Sequence, residues 1–298
     1  MKTQKPLHMA TPVRQSLALT KLAGTSVYLK LDSSQPTGSF KIRGIGHFCK
    51  TVSGNPTWAS TGGNAGMAAA YSARQLGVPA TIVVPTVTPD STVERLKDEG
   101  ATVLISGKQL VANNPGWTFI SPFDDPLIWE GHSSLVKELA VDLEEKPGAI
   151  VLSVGGGGLL NGVVEGLRRV NWADVPIVAV ETDGAHSLNA AIKAGKLVTL
   201  PVITSVATTL GIVRVSAQTM KLVAEMTTLI SASELLSADD EKILVEPACG
   251  AALSAVYSHI IRKLQNEGKL AKELGPVVVV VCGGNNISMK ELRKETIC

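Results

Sequence analysis

Short, unbroken apolar runs set between helical stretches are the feature that most restricts how this 298-residue chain can fold. They are Ala80 to Pro85 (ATIVVP), Ala149 to Val154 (AIVLSV), Pro176 to Val180 (PIVAV) and Pro276 to Cys282 (PVVVVVC). A run without polar alternation suits a strand covered on both faces, and such strands belong to parallel sheets whose crossovers are helices. Helical patterns fall between them at Asn64 to Leu76, Glu130 to Glu144, Gly158 to Val170 and Ala248 to Glu267. The expectation is an α/β fold of open, mostly parallel sheets with flanking helices. One place breaks the pattern. After strand-like Ala101 to Ile105, only about ten residues pass before the turn at Asn113 to Gly116, too few for a crossover helix.

Composition narrows the function classes. Net charge is +2 and no basic run stands out, so neither a nucleic-acid nor a membrane-surface partner has electrostatic support. No stretch reaches eighteen uncharged apolar residues, so no membrane span is expected. Cys49, Cys249, Cys282 and Cys298 are scattered, which points to free thiols rather than a zinc site. The opening MKTQKPLHMATPVR has no apolar signal region, and a cytosolic location is expected. His8, His47, His132, His186 and His259 show no ligand spacing and read as structural or surface residues.

Three glycine-rich turns stand at strand ends. In VLSVGGGGLLNGVVEGL a strand runs into Gly155, Gly156, Gly157 and Gly158, and a helix begins near Leu159. Bare amides at a helix N-terminus form an anion cradle; a tight turn that needs glycine for steric reasons is the other reading. No Gly-Lys-Ser/Thr follows, which excludes a Walker loop, and the spacing is not G-x-G-x-x-G. Glu181, closing the next strand, nonetheless stands where a dinucleotide's ribose would want an acid, so an oxidoreductase stays open. The second turn, STGGNAG, offers Thr61, Gly62, Gly63 and Asn64 to an anion, or Thr61 or Asn64 as a helix cap. The third, VVVCGGNNIS, ends a strand in Cys282, at the edge where open parallel sheets bind ligands.

A lysine completes the set. In SSQPTGSFKIRG, turn-forming residues lead to Phe40 and Lys41 at the start of a helix, with Gly38 permitting the turn and Ser39 placed to cap it. A desolvated lysine amine attacks carbonyls to form Schiff bases. A cofactor that carries both an aldehyde and a phosphate would use the lysine and the glycine turns together, whereas a dinucleotide leaves Lys41 unexplained.

The segments PTGSFKIRGIGHFCK, GGNAGMAAAYSARQLGVPATIVVP, PFDDPLIWEGH, SVGGGGLLNGVV, ETDGAHS, EKILVEPACGAAL and VCGGNNIS lie between about Pro6 and Leu292. Taken together, they resemble the fold-type II pyridoxal-phosphate enzymes (tryptophan-synthase-β-like), and within them the serine dehydratases and their dehydratase-like paralogues. The resemblance implies two sheet domains: a large cofactor-binding one from residues 1–41 and 136–298, and a small one, 42–135, covering the substrate carboxylate. It implies that Lys41 holds the cofactor, with Phe40 beside its ring and Gly155, Gly156, Gly157 and Gly158 around its phosphate. It further implies Asn64 at the phenolic oxygen and Cys282 at the pyridine nitrogen. Thr61, Gly62, Gly63 and Asn64 would hold the substrate carboxylate, and Glu181, Ala185 and Leu210 a monovalent cation, potassium in relatives. A homodimer is implied as well.

The activity implied is dehydration of L-serine to pyruvate and ammonia, and of L-threonine to 2-oxobutanoate and ammonia. Racemases of this fold carry a second acid/base serine where this chain has Gly62, which lowers that reading. A β-replacement enzyme on the same fold is a further alternative. Departures from the family are Thr61 in place of serine and three trims: after Ile105, over Lys50 to Ala59 where NPTW replaces an apolar strand, and before Asp239. The first removes roughly one helix, and the uncovered sheet face costs about 25 cal/mol per Å² of apolar area. A shortened small domain with weak or no activity is therefore the opposed expectation.

Overall fold

Three of the four apolar runs become interior strands of a six-stranded sheet, and the fourth, Ala80 to Pro85, a strand of a second sheet. The computed structural model describes residues 5–52, 57–86, 88–105, 117–225, 229–231, 243–284 and 287. Its strands are β1 (Val13–Gln15), β2 (Val27–Leu31), β3 (Thr57–Thr61), β4 (Ala80–Val84), β5 (Thr102–Ile105), β6 (Trp117–Ile120), β7 (Ala149–Ser153), β8 (Ile177–Glu181), β9 (Leu229–Ser231) and β10 (Val277–Val281). The helices are α1 (Leu17–Ala23), α2 (Lys41–Thr51), α3 (Gly63–Leu76), α4 (Asp90–Asp98), α5 (Pro126–His132), α6 (Ser134–Asp142), α7 (Gly158–Arg169), α8 (Ser187–Ala194), α9 (Ala217–Val223), α10 (Pro247–Tyr257) and α11 (Ile260–Asn266).

The larger sheet runs β1-β2-β10-β7-β8-β9, with β1 alone antiparallel. The C-terminal strand β10 enters between β2 and β7, setting Val277 opposite both Val27 and Ala149. Every residue of β7, β8 and β10 is buried, as strands with helices on both faces require. Strand ends carrying Asp32, Cys282 and Gly155 are thereby brought to one edge.

The second sheet, β5-β4-β3-β6, is wholly parallel and has its own apolar core, shared with α2 and α3. Here the structure corrects one expectation. The NPTW segment does not replace a strand: Thr57 and Trp58 open β3, an interior strand paired to β4 and β6, and Trp58 is 1% exposed. β-Branched and aromatic side chains fit a pleated, covered surface, and two neighbours supply the pairing. The trims expected after Ile105 and before Asp239 fall on residues 106–116 and 232–242, outside the described residues. Beside them, exposed apolar side chains stand at the two edges of this sheet. Ile105, ending edge strand β5, is 58% exposed, and Phe119 of edge strand β6 is 46% exposed, while all of β4 is buried.

Two expected helices are each broken. Asp125 caps α5 by accepting from Leu127 N at 2.8 Å, with Pro126 in the first turn, and the chain restarts at Ser134 as α6. The long C-terminal helix divides at His259, whose φ of +54° no helix interior tolerates.

Helix α2 straddles both cores. Its apolar residues Ile42, Ile45 and Phe48 join the smaller one. Arg43, fully buried, turns instead to the larger sheet, binding Asp32 through Nε (2.7 Å) and Nη2 (2.8 Å) and Glu138 through Nη1 (2.5 Å) and Nη2 (2.8 Å). Lys30 of β2 reaches the same Glu138 at 2.7 Å. This buried network pins the start of α2, and so Lys41, against the six-stranded sheet.

Candidate active site

The approach to Lys41 is tied to the end of β10. Gly38 takes φ of +71°, the left-handed region glycine enters without strain. Its carbonyl accepts from Gly284 N at 2.8 Å, Ser39 pairs with Gly283, and Phe40 N donates to Cys282 O at 3.0 Å. Ser39 does not cap α2: Phe40 occupies that position without a side-chain bond, and the buried Ser39 hydroxyl finds no partner. Pairing with Gly283 sets Ser39 one residue too early. The Lys41 amine donates to Pro122 O at 2.5 Å and lies 5.1 Å from the Phe40 ring centroid. Although the residue is only partly covered, the amine is enclosed. Burial pulls its pKa down to about 8, against the upward pull of Cys282 and Glu246.

Behind Phe40 stands His132, ring centroids 5.0 Å apart and tilted by 49°. It is fully buried with both ring nitrogens unpartnered, and burial, with Lys41 and Arg43 nearby, holds it neutral. The expectation of a structural histidine fits this placement.

The tetraglycine turn adjoins Lys41 through the next residue along. Phe123, following Pro122, packs on it: a Cβ at Gly156 would fall 2.4 Å from the Phe123 ring, and one at Gly158 2.6 Å from its carbonyl. Gly157 has φ of +94°, and a Cβ there would lie 1.9 Å from Thr219 Oγ1. Helix α7 begins at Gly158. Close packing therefore demands glycine. Among the described residues, moreover, none of the four amides donates to a protein acceptor. Both readings of the turn hold at once: it is sterically tight, and it presents free donors.

At the second turn, Gly62 caps α3 through its backbone alone and Gly63 has φ of +68°. Thr61 is exposed, whereas Asn64 is buried and donates from Nδ2 to Glu246 Oε1 at 2.9 Å. At the third, Cys282 is buried. The hydrogen bond it shares with Cys249 as the protonated partner, together with burial, pushes its pKa well above the ordinary thiol range, so it is neutral.

Phe40 is thus tied to Cys282 by a backbone bond, Lys41 adjoins the glycine turn through Pro122 and Phe123, and Glu246 links Lys41 to Asn64. The cation candidates do not join them by hydrogen bonds among the described residues. Glu181 accepts from Leu188 N (2.8 Å) and Asn189 N (2.7 Å) at the start of α8, with burial raising its pKa to about 7. Ala185 pairs with Thr182, and Leu210 backs Gly155, whose Cβ would lie 3.2 Å from Leu210 Cα.

Sequence reasoning passed over Arg43, Phe123 and Glu246. The last had one visible signal, an acid directly before a proline that opens a helix.

The chain is similar to known proteins over nearly its whole length. The human L-serine dehydratase/L-threonine deaminase is 61% identical over 320 aligned residues, covering 98% of this chain and 96% of the relative. That alignment is longer than the 298-residue chain, so the relative carries residues absent here. The human serine dehydratase-like protein is 53% identical, with 97% and 94% covered. A fungal L-serine ammonia-lyase from Rhizomucor miehei superposes with a TM-score of 0.88 at 36% identity, covering 98% of this chain and 99% of the other. Residues 5–283 match the family described as pyridoxal-phosphate dependent enzyme, and the chain belongs to that family.

Proposed function

We propose that this protein is a pyridoxal-phosphate-dependent ammonia-lyase that converts L-serine to pyruvate and ammonia, and L-threonine to 2-oxobutanoate and ammonia. The observation that carries the reading is Lys41, an amine brought by burial to a pKa of about 8 beside a cradle of unpartnered glycine amides.

The residues present fit the cofactor group by group. Lys41 would take its aldehyde, the amides of Gly155 to Gly158 its phosphate, Phe40 one ring face, Asn64 its phenolic oxygen and Cys282 its pyridine nitrogen. When bound, the cofactor supplies an electron sink for the carbanion left at the substrate Cα. The chain's residues do the rest. Gly62, Gly63 and Asn64, with Thr61, would hold the substrate carboxylate at the start of α3. There the positive end of the helix dipole favours an anion. The Lys41 amine takes the α-proton as general base, its lowered pKa keeping a working fraction neutral near pH 7. Loss of the β-hydroxyl as water, then hydrolysis, balances serine against pyruvate and ammonia. Glycine at 62 provides no second acid/base, which favours elimination over racemisation. A neutral Cys282 cannot hold a ring nitrogen protonated as a carboxylate would, and this favours the same outcome.

The organisation proposed with this activity is a large domain of residues 1–41 and 136–298 and a small one of 42–135. A potassium ion at Glu181, Ala185 and Leu210 would stabilise the turn behind Gly155. A homodimer in the cytosol is proposed as the working form; the exposed Val202 and Val206, 61% and 59% accessible, offer apolar surface to a second copy. Among the described residues, no helix is long and apolar enough to cross a membrane.

The test is the visible spectrum of the purified protein with pyridoxal phosphate, followed by L-serine and a coupled pyruvate assay. A visible band that changes with serine while pyruvate accumulates supports the lyase, and Lys41→Ala should abolish both. The exposed Ile105 and Phe119 favour one other reading, a weak or inactive relative with an incomplete small domain. A stable band without pyruvate would establish that reading instead.

A further inference from the structure

One buried carboxylate touches two of the three glycine-rich turns and reaches the third through Thr209. Glu246 is the cap residue before α10 and is 3% exposed. Its Oε1 accepts from Asn64 Nδ2 (2.9 Å) on the second turn and from Thr209 Oγ1 (2.7 Å). Thr209 precedes Leu210, which backs Gly155 of the tetraglycine turn. On the third turn the carboxylate fills the place of a missing side chain, because a Cβ at Gly284 would lie 1.9 Å from Glu246 Cδ. Glu246 also exerts its charge on both Lys41 and Cys282.

Such a contact has a chemical consequence for Asn64. An ionised carboxylate only accepts, so Asn64 must turn its NH2 toward Glu246, which fixes the amide's orientation. One N–H is then committed to Glu246, and that bond sets the plane of the amide. The bond also crosses between the two sheets, joining the first turn of α3 to the residue before α10.

We propose that Glu246 is a positioning residue for the lyase reaction, clamping Asn64 across the two sheets and placing negative charge beside the Lys41 amine. The inference rests on the lyase reading for the reaction served, but not for its contacts. The charged and titratable groups facing this place are Lys41 on α2, His132 on α5, Cys249 on α10, Asp32 after β2 and Cys282 after β10.

Two substitutions separate the parts. Glu246→Gln keeps an oxygen for Asn64 and removes the charge; Glu246→Ala removes both. The readouts are cofactor affinity by titration of the visible band, the pH midpoint of that band, and the division between kcat and KM for L-serine. Glu246→Gln should bind the cofactor within about threefold of wild type while the midpoint falls by about one unit, since a charge that favours the cationic form is gone. Its kcat should fall at least tenfold with KM changed less than threefold. Glu246→Ala should weaken cofactor affinity tenfold or more. If it fails to fold, Thr209→Val substitutes for it: the charge stays and one bond goes, so affinity should fall about threefold with no shift in midpoint. A purely structural carboxylate would leave the midpoint unchanged in Glu246→Gln, and that result overturns the proposal. Wild-type protein that binds cofactor without consuming serine would refute the lyase reading instead, and the affinity and midpoint would still judge Glu246.

Discussion

Arg43→Met should unfold the seam that positions Lys41. The guanidinium is fully buried and makes four hydrogen bonds of 2.5 to 2.8 Å to two carboxylates, Asp32 at 0% and Glu138 at 15% side-chain exposure. Removing one partner from a buried ion pair costs about 3–5 kcal/mol, because the other charge is left without compensation. Two features pull the value toward the lower end. Thr11 Oγ1 still donates to Asp32 at 2.7 Å, and Lys30 still holds Glu138 at 2.7 Å. Methionine also fills the volume of the arginine stem. The expected loss is therefore about 3 kcal/mol, roughly a hundredfold or more in the folded-to-unfolded ratio. Urea denaturation of the cofactor-free protein, followed by far-ultraviolet circular dichroism near pH 7.5, measures it. Arg43→Lys keeps the charge but not the double fork and should lose roughly half as much. The acid limb gives a second check. Burial alone would raise the Glu138 pKa, but the hydrogen bonds and charges of Arg43 and Lys30 outweigh it and hold the group below its ordinary value. A depressed carboxylate contributes stability above its unfolded pKa and loses it as pH falls through the folded one. Part of that acid-side slope should disappear in Arg43→Met. A variant within about 1 kcal/mol of wild type, with the slope intact, would refute the reasoning.

Capture of pyridoxal phosphate by the cofactor-free protein should quicken with pH and level off above about 8, because only the neutral Lys41 amine reacts; stopped-flow absorbance at several pH values reads the midpoint, and one near an ordinary lysine value would contradict the burial argument. Gly157→Ala combines a φ of +94° with a Cβ 1.9 Å from Thr219 Oγ1. It should cost about 2 kcal/mol or more and weaken binding of inorganic phosphate; thermal melting and phosphate competition against cofactor binding measure the two effects. Glu181 has its pKa raised by burial to about 7, so it favours the folded state below its unfolded value near 4.5 and that contribution is lost as pH rises through 7. Glu181→Gln should flatten melting temperature between pH 5 and pH 8, and potassium should stabilise the wild type more than the variant at pH 8.

Much of this architecture was legible because it rests on local rules. The valine run of β10 and the apolar β7 and β8 could belong only to strands covered on both faces, and the glycines after β7 had to open a helix. Lys41 was legible for the same reason: its approach through Gly38 and Phe40 is a local device. Strand β3 was misread because Thr57 and Trp58 acquire their pairing from β4 and β6, which are distant in sequence from one another. The two broken helices were missed because apolar periodicity continues across Ser133 and across Ser258–His259, while the backbone does not.

Residue types and spacing by themselves determined the fold class, placed glycine-rich turns at three strand ends and singled out Lys41. What they could not determine is which groups meet. Glu246 reaches Asn64 across 182 positions, and Arg43 reaches Glu138 across 95. These contacts exist because β10 inserts between β2 and β7 and because α2 joins two cores. The physical reason is that a charge takes its energy, its ionisation and its role from the groups packed around it, and only the tertiary structure brings those groups to it.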